Sequence, residues 1–341
     1  MSVKIVHSYR NWKPVPHRVF KDATLAQTIH EKGYAVLPFL NPEQVSQLKE
    51  LYKREHSIKA ENGAMFYTLY SKDHAYRKRI HDTIAEIVKP LFEVHFKDYK
   101  NVVNIFINKI SGTESGFYTH QDTTALDEFK YSPLSIWIPL QDIGPDNGAL
   151  GLIEKTHWFF SPYRGISFPF PFSKINDTVK NYLKPVYLKA GEALIFDPRI
   201  VHNSFTNTSG SDRIVALCGI FPKDAELITC FKEKAPGSKI ELIKHEDSYL
   251  LKNESFFYDC HSRPATGTVI ATVGEEFPDI DASSFEKLCE LNGIEKQTNN
   301  LTSITHCEFI AEPDGINLIS EKNCKTKETK SIWKKLKSLV H

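Results

Sequence analysis

Short apolar runs bounded by glycine, proline and asparagine recur along the chain, interrupted by two stretches with apolar residues at helical spacing. Residues 22–33 predict a short helix stopped by Gly33, and Tyr34 to Leu40 a strand. Asn41-Pro42 then starts a helix, with Asn41 as cap, Pro42 in the first turn and Gln44 in reach as a capping-box partner. Val45, Leu48 and Leu51 form its stripe. A second helix is predicted over 74–96 from Ile80, Ile84, Ile87 and Leu91, kinked or split at Pro90. Strands follow at 101–110, Pro185 to Leu188, Ala193 to Phe196, Val201 to Phe205 and Arg213 to Phe221. After Pro222 the pattern weakens to two strand-like pieces, Thr268 to Val273 among them, and a helix over Ser284–Leu291 capped near Ser283. From Gln297 the chain is polar, except for a basic amphipathic stretch, Ser331 to Val340, expected to pack on the domain or fray. The pattern is mainly β with flanking helices.

Composition narrows this picture. A net charge of +1 argues against a general nucleic-acid footprint. No uncharged apolar run reaches membrane-spanning length, and Met1 to His17 lacks a signal-peptide pattern. The six cysteines are scattered without a C-x-x-C pair, which fits reduced thiols and a cytoplasmic location.

The candidate chemistry centres on His120-Gln121-Asp122, His202 and Arg213. Two imidazoles and one carboxylate occupy one face of an octahedral iron and leave the other open, the ligand set of non-haem Fe(II) oxygenases. An H-x-D pair fits a strand end, where residues two apart point the same way. The third ligand then arrives from a distant strand, 80 positions beyond Asp122. Arg213, eleven residues after His202, offers a permanently charged planar fork for a carboxylate co-substrate. Two further H-x-[DE] pairs occur, at His245 and His306, but no arginine follows His306, only Arg263 follows Asp247, and only the set at 120 has apolar strand-like runs around both its H-x-D and its downstream His. The segment around His245 reads as a solvated charged face.

From Gly33 to Pro222 the chain resembles the phytanoyl-CoA dioxygenase-like Fe(II)/2-oxoglutarate oxygenases. The resemblance is carried by Gly33-Tyr-Ala-Val-Leu-Pro38, Asn108-Lys109-Ile-Ser-Gly112, Tyr118-Thr-His120-Gln-Asp122 and Asp146-Asn147-Gly148-Ala-Leu150. It continues through Lys155-Thr156-His157, where the family commonly has Gly-Ser-His, and through Lys189-Ala-Gly191 to His202, Ser204, Asn207 and Arg213. It implies a double-stranded β-helix, the jelly-roll barrel also seen in cupins. It also implies Fe(II), 2-oxoglutarate and O2 as the working set, with His120, Asp122 and His202 on iron. Arg213 and Ser204 would hold the far carboxylate of 2-oxoglutarate. Lys109 and Gln121 are positions that relatives use near the co-substrate, although Gln121 should point away from the ligand pair. Trp137 is a core indole or a wall of the same pocket.

Residues 1–222 therefore form an oxygenase core with bracing helices, and 223–341 an extension packed on it. The aromatic run Met65-Phe66-Tyr67-Thr68-Leu69-Tyr70 either packs under the barrel or lines the substrate mouth. Tyr67, Tyr118, Arg77 and Arg164 are the substrate-contact candidates. The ring- and proline-rich segment 158–182 is expected to cover the iron site. The expected reaction is hydroxylation of an unactivated C–H in a small polar metabolite, an amino acid, metabolic intermediate or natural-product precursor. Because Asp122 is present, halogenation is not expected; desaturation or ring formation stays open. One alternative is a carrier- or protein-tethered substrate recognised through 223–341. Another is a cupin-like metal protein without oxygenase activity.

Overall fold

The computed structural model describes residues 14–56, 65–112, 115–159, 163–170, 172–252, 262–274 and 280–297. Helix α1, Ala23–Lys32, starts where the Asp22 side chain accepts from the Thr24 and Leu25 amides. It ends at Gly33, whose φ of +91° is one that a side chain resists. A Cβ there would also stand 2.7 Å from His157 Nδ1, so turn and packing both require glycine. Strand β1, Tyr34–Pro38, follows. Helix α2, Pro42–Glu55, carries the expected capping box: the Gln44 amide donates to Asn41 Oδ1 at 2.8 Å, and the Asn41 amide to Gln44 Oε1 at 3.0 Å. After β2, Met65–Tyr67, comes α3, His74–His95. It runs unbroken through Pro90. Pro90 and Glu86, whose carbonyl loses its partner there, are both exposed, so water replaces the missing hydrogen bond. The helix buries Ile80, Ile84, Val88 and Phe92 at four-residue spacing, with Ile87 and Leu91 half-buried beside them.

Eight strands build the barrel: β3 Tyr99–Lys109, β4 Phe117–His120, β5 Leu134–Pro139, β6 Leu150–Ile153, β7 Lys184–Val186, β8 Glu192–Phe196, β9 Val201–Ser204 and β10 Arg213–Pro222. They pair antiparallel in two sheets, ordered β1-β8-β5-β10-β3-β2 and β4-β9-β6-β7. This is the double-stranded β-helix that the resemblance implied. Strand alternation divides the six-stranded sheet between two cores. Ile136 and Ile138 of β5, Ala193 and Ile195 of β8, and Ala216 and Cys218 of β10 face Leu48, Ile80 and Ile84 of the helices. Trp137, Leu194, Phe196 and Val215, one residue out of step, face the barrel interior with Leu152, Ile200 and Val201. Each such aliphatic burial contributes about 1.5–3 kcal/mol, so helices and barrel are held by one continuous sheet. The site therefore inherits a rigid floor.

Beyond Pro222, β11 Leu227–Lys232, β12 Ile240–His245 and β13 Thr268–Val273 form a three-stranded meander. The helix Ala282–Leu291 is capped by Asp281, whose Oδ1 accepts from the Ser284 amide at 2.7 Å, and not near Ser283. Its Phe285 and Leu288 join the barrel core with Phe159, Phe172 and Tyr182. His245 is not part of a solvated face: it is buried, stacked on Tyr249 at 3.6 Å and bonded to Thr229 Oγ1 at 2.8 Å. Lys244, Glu246 and Asp247 are exposed as expected. Cys218, Cys230 and Cys289 are free and buried. The expected basic helix at 331–340, the remaining cysteines and the pair at His306 lie outside the described residues. Among the described residues no helix is long and apolar enough to cross a membrane.

Candidate metal and co-substrate site

The register of β4 against β9 sets His120 directly opposite His202, with ring centroids 4.2 Å apart. Asp122 lies just past the end of β4, where its amide donates to the Pro198 carbonyl at 2.9 Å. Its Oδ1 stands 3.5 Å from His120 Nε2 and 3.7 Å from His202 Nε2. The three donor atoms all lie within 4.8 Å of one another. The Nδ1 atoms of His120 and His202 each sit 2.9 Å from a carbonyl two residues back, of Tyr118 and Ile200 respectively. Each Nδ1 therefore carries the proton, and each Nε2 presents its lone pair to the same point. Burial, with His120 next, lowers the His202 pKa to about 4, so its imidazole is neutral at physiological pH. Burial works to raise the Asp122 carboxyl, but His202 and His120 beside it outweigh this and leave it below its ordinary value. Two imidazoles and a carboxylate on one side of a point fit a divalent iron with an open face.

The ligand loop is held from behind by two buried ion-pair clusters. Arg164 Nε donates to the Asp122 carbonyl at 2.6 Å, and its two Nη atoms meet Glu128 at 2.9 and 2.7 Å, a bidentate pair. The Arg164 amide donates to Thr124 Oγ1, and the Thr124 amide donates back to the Arg164 carbonyl, both at 2.9 Å. In the second cluster Arg199 donates from Nε to Asp197 Oδ1 at 2.7 Å and from Nη2 to Ser132 Oγ at 2.7 Å. Arg199 Nη2 also meets Asp197 Oδ2, and His17 Nε2 is 3.0 Å from that oxygen. Gln121 Nε2 donates to the Arg199 carbonyl, which turns this side chain away from the ligands. The residue between the two ligands thus ties the loop to the second cluster.

Across the barrel, Arg213 opens β10 in a different condition. It is 2% exposed, and its Nε and Nη1 have no hydrogen-bond partner. Its guanidinium lies 5.1 Å from the Trp137 ring centroid, so Trp137 is a wall of this pocket as well as part of the core. Burial lowers the Arg213 pKa to about 10, still fully charged at neutral pH. A buried cation with idle N–H donors fits a carboxylate ligand. Lys109, paired with Arg213 across the strands, is fully buried and spends its ammonium on carbonyls: Ser115, Phe205 at 2.9 Å and Ser204 at 3.3 Å. Gly148 makes room for it, since a Cβ there would stand 2.6 Å from Lys109 Cδ. Ser204 is buried, with its hydroxyl 3.4 Å from the Gly148 carbonyl.

The aromatic candidates fall in two groups. Tyr118 is 5.1 Å from His120 and 5.5 Å from Phe170, ring to ring. Phe170 and Phe117 lie 5.8 and 5.0 Å from His120. Tyr67 stacks near Tyr70 at 4.8 Å, and burial raises its pKa well above the ordinary value, with charges on Arg213 and Asp122 also felt there. Two expectations are corrected. Arg77 is 1% exposed and donates to the carbonyls of Leu251 at 2.7 Å, Lys252 at 3.1 Å and Ser71, so it clamps α3 to the C-terminal extension. Arg164 braces Asp122 from behind. Neither guanidinium is available to a substrate. The segment 158–182 also divides: Phe170 faces the ligands, while Phe159 and Phe172 are core. Sequence reasoning missed Glu128, Thr124 and the Asp197–Arg199 pair; only Asp197-Pro198-Arg199, just ahead of His202, gave a local signal.

The model of the family described as phytanoyl-CoA dioxygenase (PhyH) matches residues 29–215. No curated protein matches the chain. Among solved structures it is similar to HygX from Streptomyces hygroscopicus with nickel, 2-oxoglutarate and hygromycin B bound. That likeness has 14% identity over 60% of this chain and 88% of that one, with a TM-score of 0.43. It is also similar to SnoN, a non-haem alpha-ketoglutarate-dependent epimerase from nogalamycin biosynthesis, at 19% identity over 60% and 84% of the two chains and a TM-score of 0.43. A third, EvdO2 from Micromonospora carbonacea var. aurantiaca, has 17% identity over 61% and 93%, with a TM-score of 0.42.

Proposed function

This chain belongs to the phytanoyl-CoA dioxygenase family of 2-oxoglutarate-dependent non-haem iron enzymes, and on that premise we propose that it hydroxylates an unactivated C–H of a small molecule. The observation that carries this reading is the convergence of His120, Asp122 and His202 within 4.8 Å, with both Nδ1 atoms tied to carbonyls. These three would hold Fe(II). Arg213 would take the far carboxylate of 2-oxoglutarate through Nε and Nη1, with Trp137 orienting the guanidinium plane. When bound, iron, 2-oxoglutarate and O2 supply an oxidation in which the co-substrate becomes succinate and CO2 and the substrate C–H becomes an alcohol. The chain's own work is to present the two imidazoles, keep Asp122 ionised, orient the co-substrate and exclude water with the aromatics around His120. Ser204 and Lys109 contribute by shaping the strand ends around Arg213, Lys109 through carbonyls that its ammonium fixes in place.

A small polar substrate gripped by arginine loses its support, because Arg77 and Arg164 are committed elsewhere. A carrier- or protein-tethered substrate is the second reading, favoured only by the exposed β13 face of the C-terminal meander. The test is anaerobic titration of apoprotein with Fe(II) and then 2-oxoglutarate, following the visible charge-transfer band of the chelate. The band should form, weaken in Asp122→Ala and Arg213→Ala, and be followed in air by succinate release. Iron binding without a band, or with a band indifferent to Arg213→Ala, would sink the oxygenase reading.

A further inference from the structure

We propose that the part of the substrate seated over the iron's open face is an uncharged ring system, bearing neither carboxylate nor phosphate nor ammonium. This rests on the proposed function and names the substrate class for that site. Three observations carry it.

The surroundings of His120 are aromatic. Phe117, Tyr118 and Phe170 surround His120 with ring separations of 5.0, 5.1 and 5.8 Å, and Tyr118 and Phe170 lie 5.5 Å apart. Tyr67 and Tyr70 form a second pair at 4.8 Å, and Tyr67 lies within electrostatic reach of Arg213, Asp122 and Tyr118. Such faces favour offset or edge-on packing of another ring.

Among the described residues, the fully buried Arg and Lys side chains other than Arg213 are committed. Arg77 is held by three carbonyls, Arg164 by Glu128 and the Asp122 carbonyl, Arg199 by Asp197, and Lys109 by three carbonyls. Arg213 is left, and the co-substrate claims it. An anionic substrate group inside the barrel would therefore be buried without a partner, which is costly.

A cationic group fares no better. Among the described residues Asp122 would serve as a metal ligand, and the buried Glu128 and Asp197 are already paired. With both partners loaded, the charges of iron, Asp122, 2-oxoglutarate and Arg213 cancel, and Lys109 beside Arg213 spends its donors on three carbonyls. Ring stacking and apolar burial remain.

The test uses three probes on one ring: naphthylmethanol, naphthoate and naphthylmethyl-trimethylammonium. Each is titrated anaerobically into the full-length protein loaded with Fe(II) and 2-oxoglutarate, and its shift of the charge-transfer band is read. The alcohol should shift the band with at least roughly tenfold higher affinity than either ion. Phe170→Ala should weaken the alcohol roughly tenfold while the band itself still forms. Phe170→Leu, which keeps apolar bulk without a ring face, should fall between, so a folding defect is separated from lost stacking. Tighter binding of either ion, no shift with any probe, or indifference to Phe170→Ala overturns the proposal. Failure of the band to form in the unmodified protein brings down the proposed function, and the substrate class falls with it.

Discussion

The two sides of this site bury arginine in opposite ways. Behind the ligand loop, Arg164 and Arg199 are 1% and 0% exposed, and each meets a buried carboxylate, Glu128 or Asp197, through two nitrogens. Across the barrel, Arg213 is equally buried but has a tryptophan face and idle donors. Taking a guanidinium out of water costs several kcal/mol, which a paired carboxylate offsets and an empty pocket does not. A chain that pairs its arginines so consistently on one side leaves the other unpaired for a ligand to complete. The difference is the physical ground for the proposed role of Arg213.

The largest expected effect is on the paired side. Arg164→Ala leaves Glu128 buried without its cation and frees the Asp122 carbonyl, and should destabilise the fold by about 3–5 kcal/mol. Urea unfolding measures this directly. The double change Arg164→Met with Glu128→Leu should recover most of the loss, since a buried pair exchanged for apolar groups is often near neutral. Destabilisation of the double variant as deep as the single one would mean that the bond to the Asp122 carbonyl, and not charge pairing, is what matters.

A third way to bury a base is to discharge it, and His157 does so. Burial lowers its pKa to about 4, while its Nε2 donates to the His30 carbonyl at 2.8 Å. The unfolded chain takes up this proton near pH 6.5 and the folded chain only near pH 4. Its contribution is therefore complete above the unfolded value and is lost as pH falls from there to the folded one, roughly 3 kcal/mol in all. His157→Gln, which keeps a donor for His30, should flatten the stability-versus-pH curve over that window relative to the parent. Parallel curves would show that the histidine is charged in the folded state.

Arg213→Ala should behave inversely to Arg164→Ala. Removing an unpaired buried cation should leave the unfolding midpoint of the apoprotein unchanged or raise it, while 2-oxoglutarate binding weakens roughly a hundredfold, about 3 kcal/mol. The parent protein should gain thermal stability on adding iron and 2-oxoglutarate, and the variant should gain from iron alone. Deep destabilisation of the ligand-free variant would place Arg213 with Arg164 as scaffold and end the contrast.

The sequence carried the candidate metal ligands because their spacing is dictated by the chemistry: an H-x-D at a strand end, a distant histidine and an arginine on the next strand. The apolar runs of β8 and β10 were likewise legible, whereas β5, Leu134–Pro139, was not read as a strand. The roles of Arg77 and Arg164 were not legible, because a charged side chain is defined by its partner. Arg77 finds the Leu251 carbonyl 174 positions away, and Arg164 finds Glu128 across 36. Lys109 misled for the same reason: its acceptors are strand-end carbonyls that exist only once β9 is laid beside β4. Pro90 looked like a helix break because the sequence does not say which face of α3 meets water.

The smallest effect tests how Arg213 is kept ready. With no hydrogen bonds to fix Nε and Nη1, its orientation rests on the Trp137 face at 5.1 Å. A desolvated contact of this kind is worth about 1 kcal/mol, so Trp137→Leu should weaken 2-oxoglutarate roughly fivefold. Trp137→Phe keeps a ring with a weaker field and should lose less. Both variants also disturb packing against Leu194 and Leu217, the neighbours of Trp137 across β8 and β10. Iron affinity is the control, because β4 and β9, which carry the histidines, belong to the other sheet. Co-substrate affinity that falls in the order Trp, Phe, Leu while iron affinity holds would assign the indole to orienting the arginine. Equal loss of both affinities would make Trp137 a core residue and leave Arg213 to be held by the shape of its pocket.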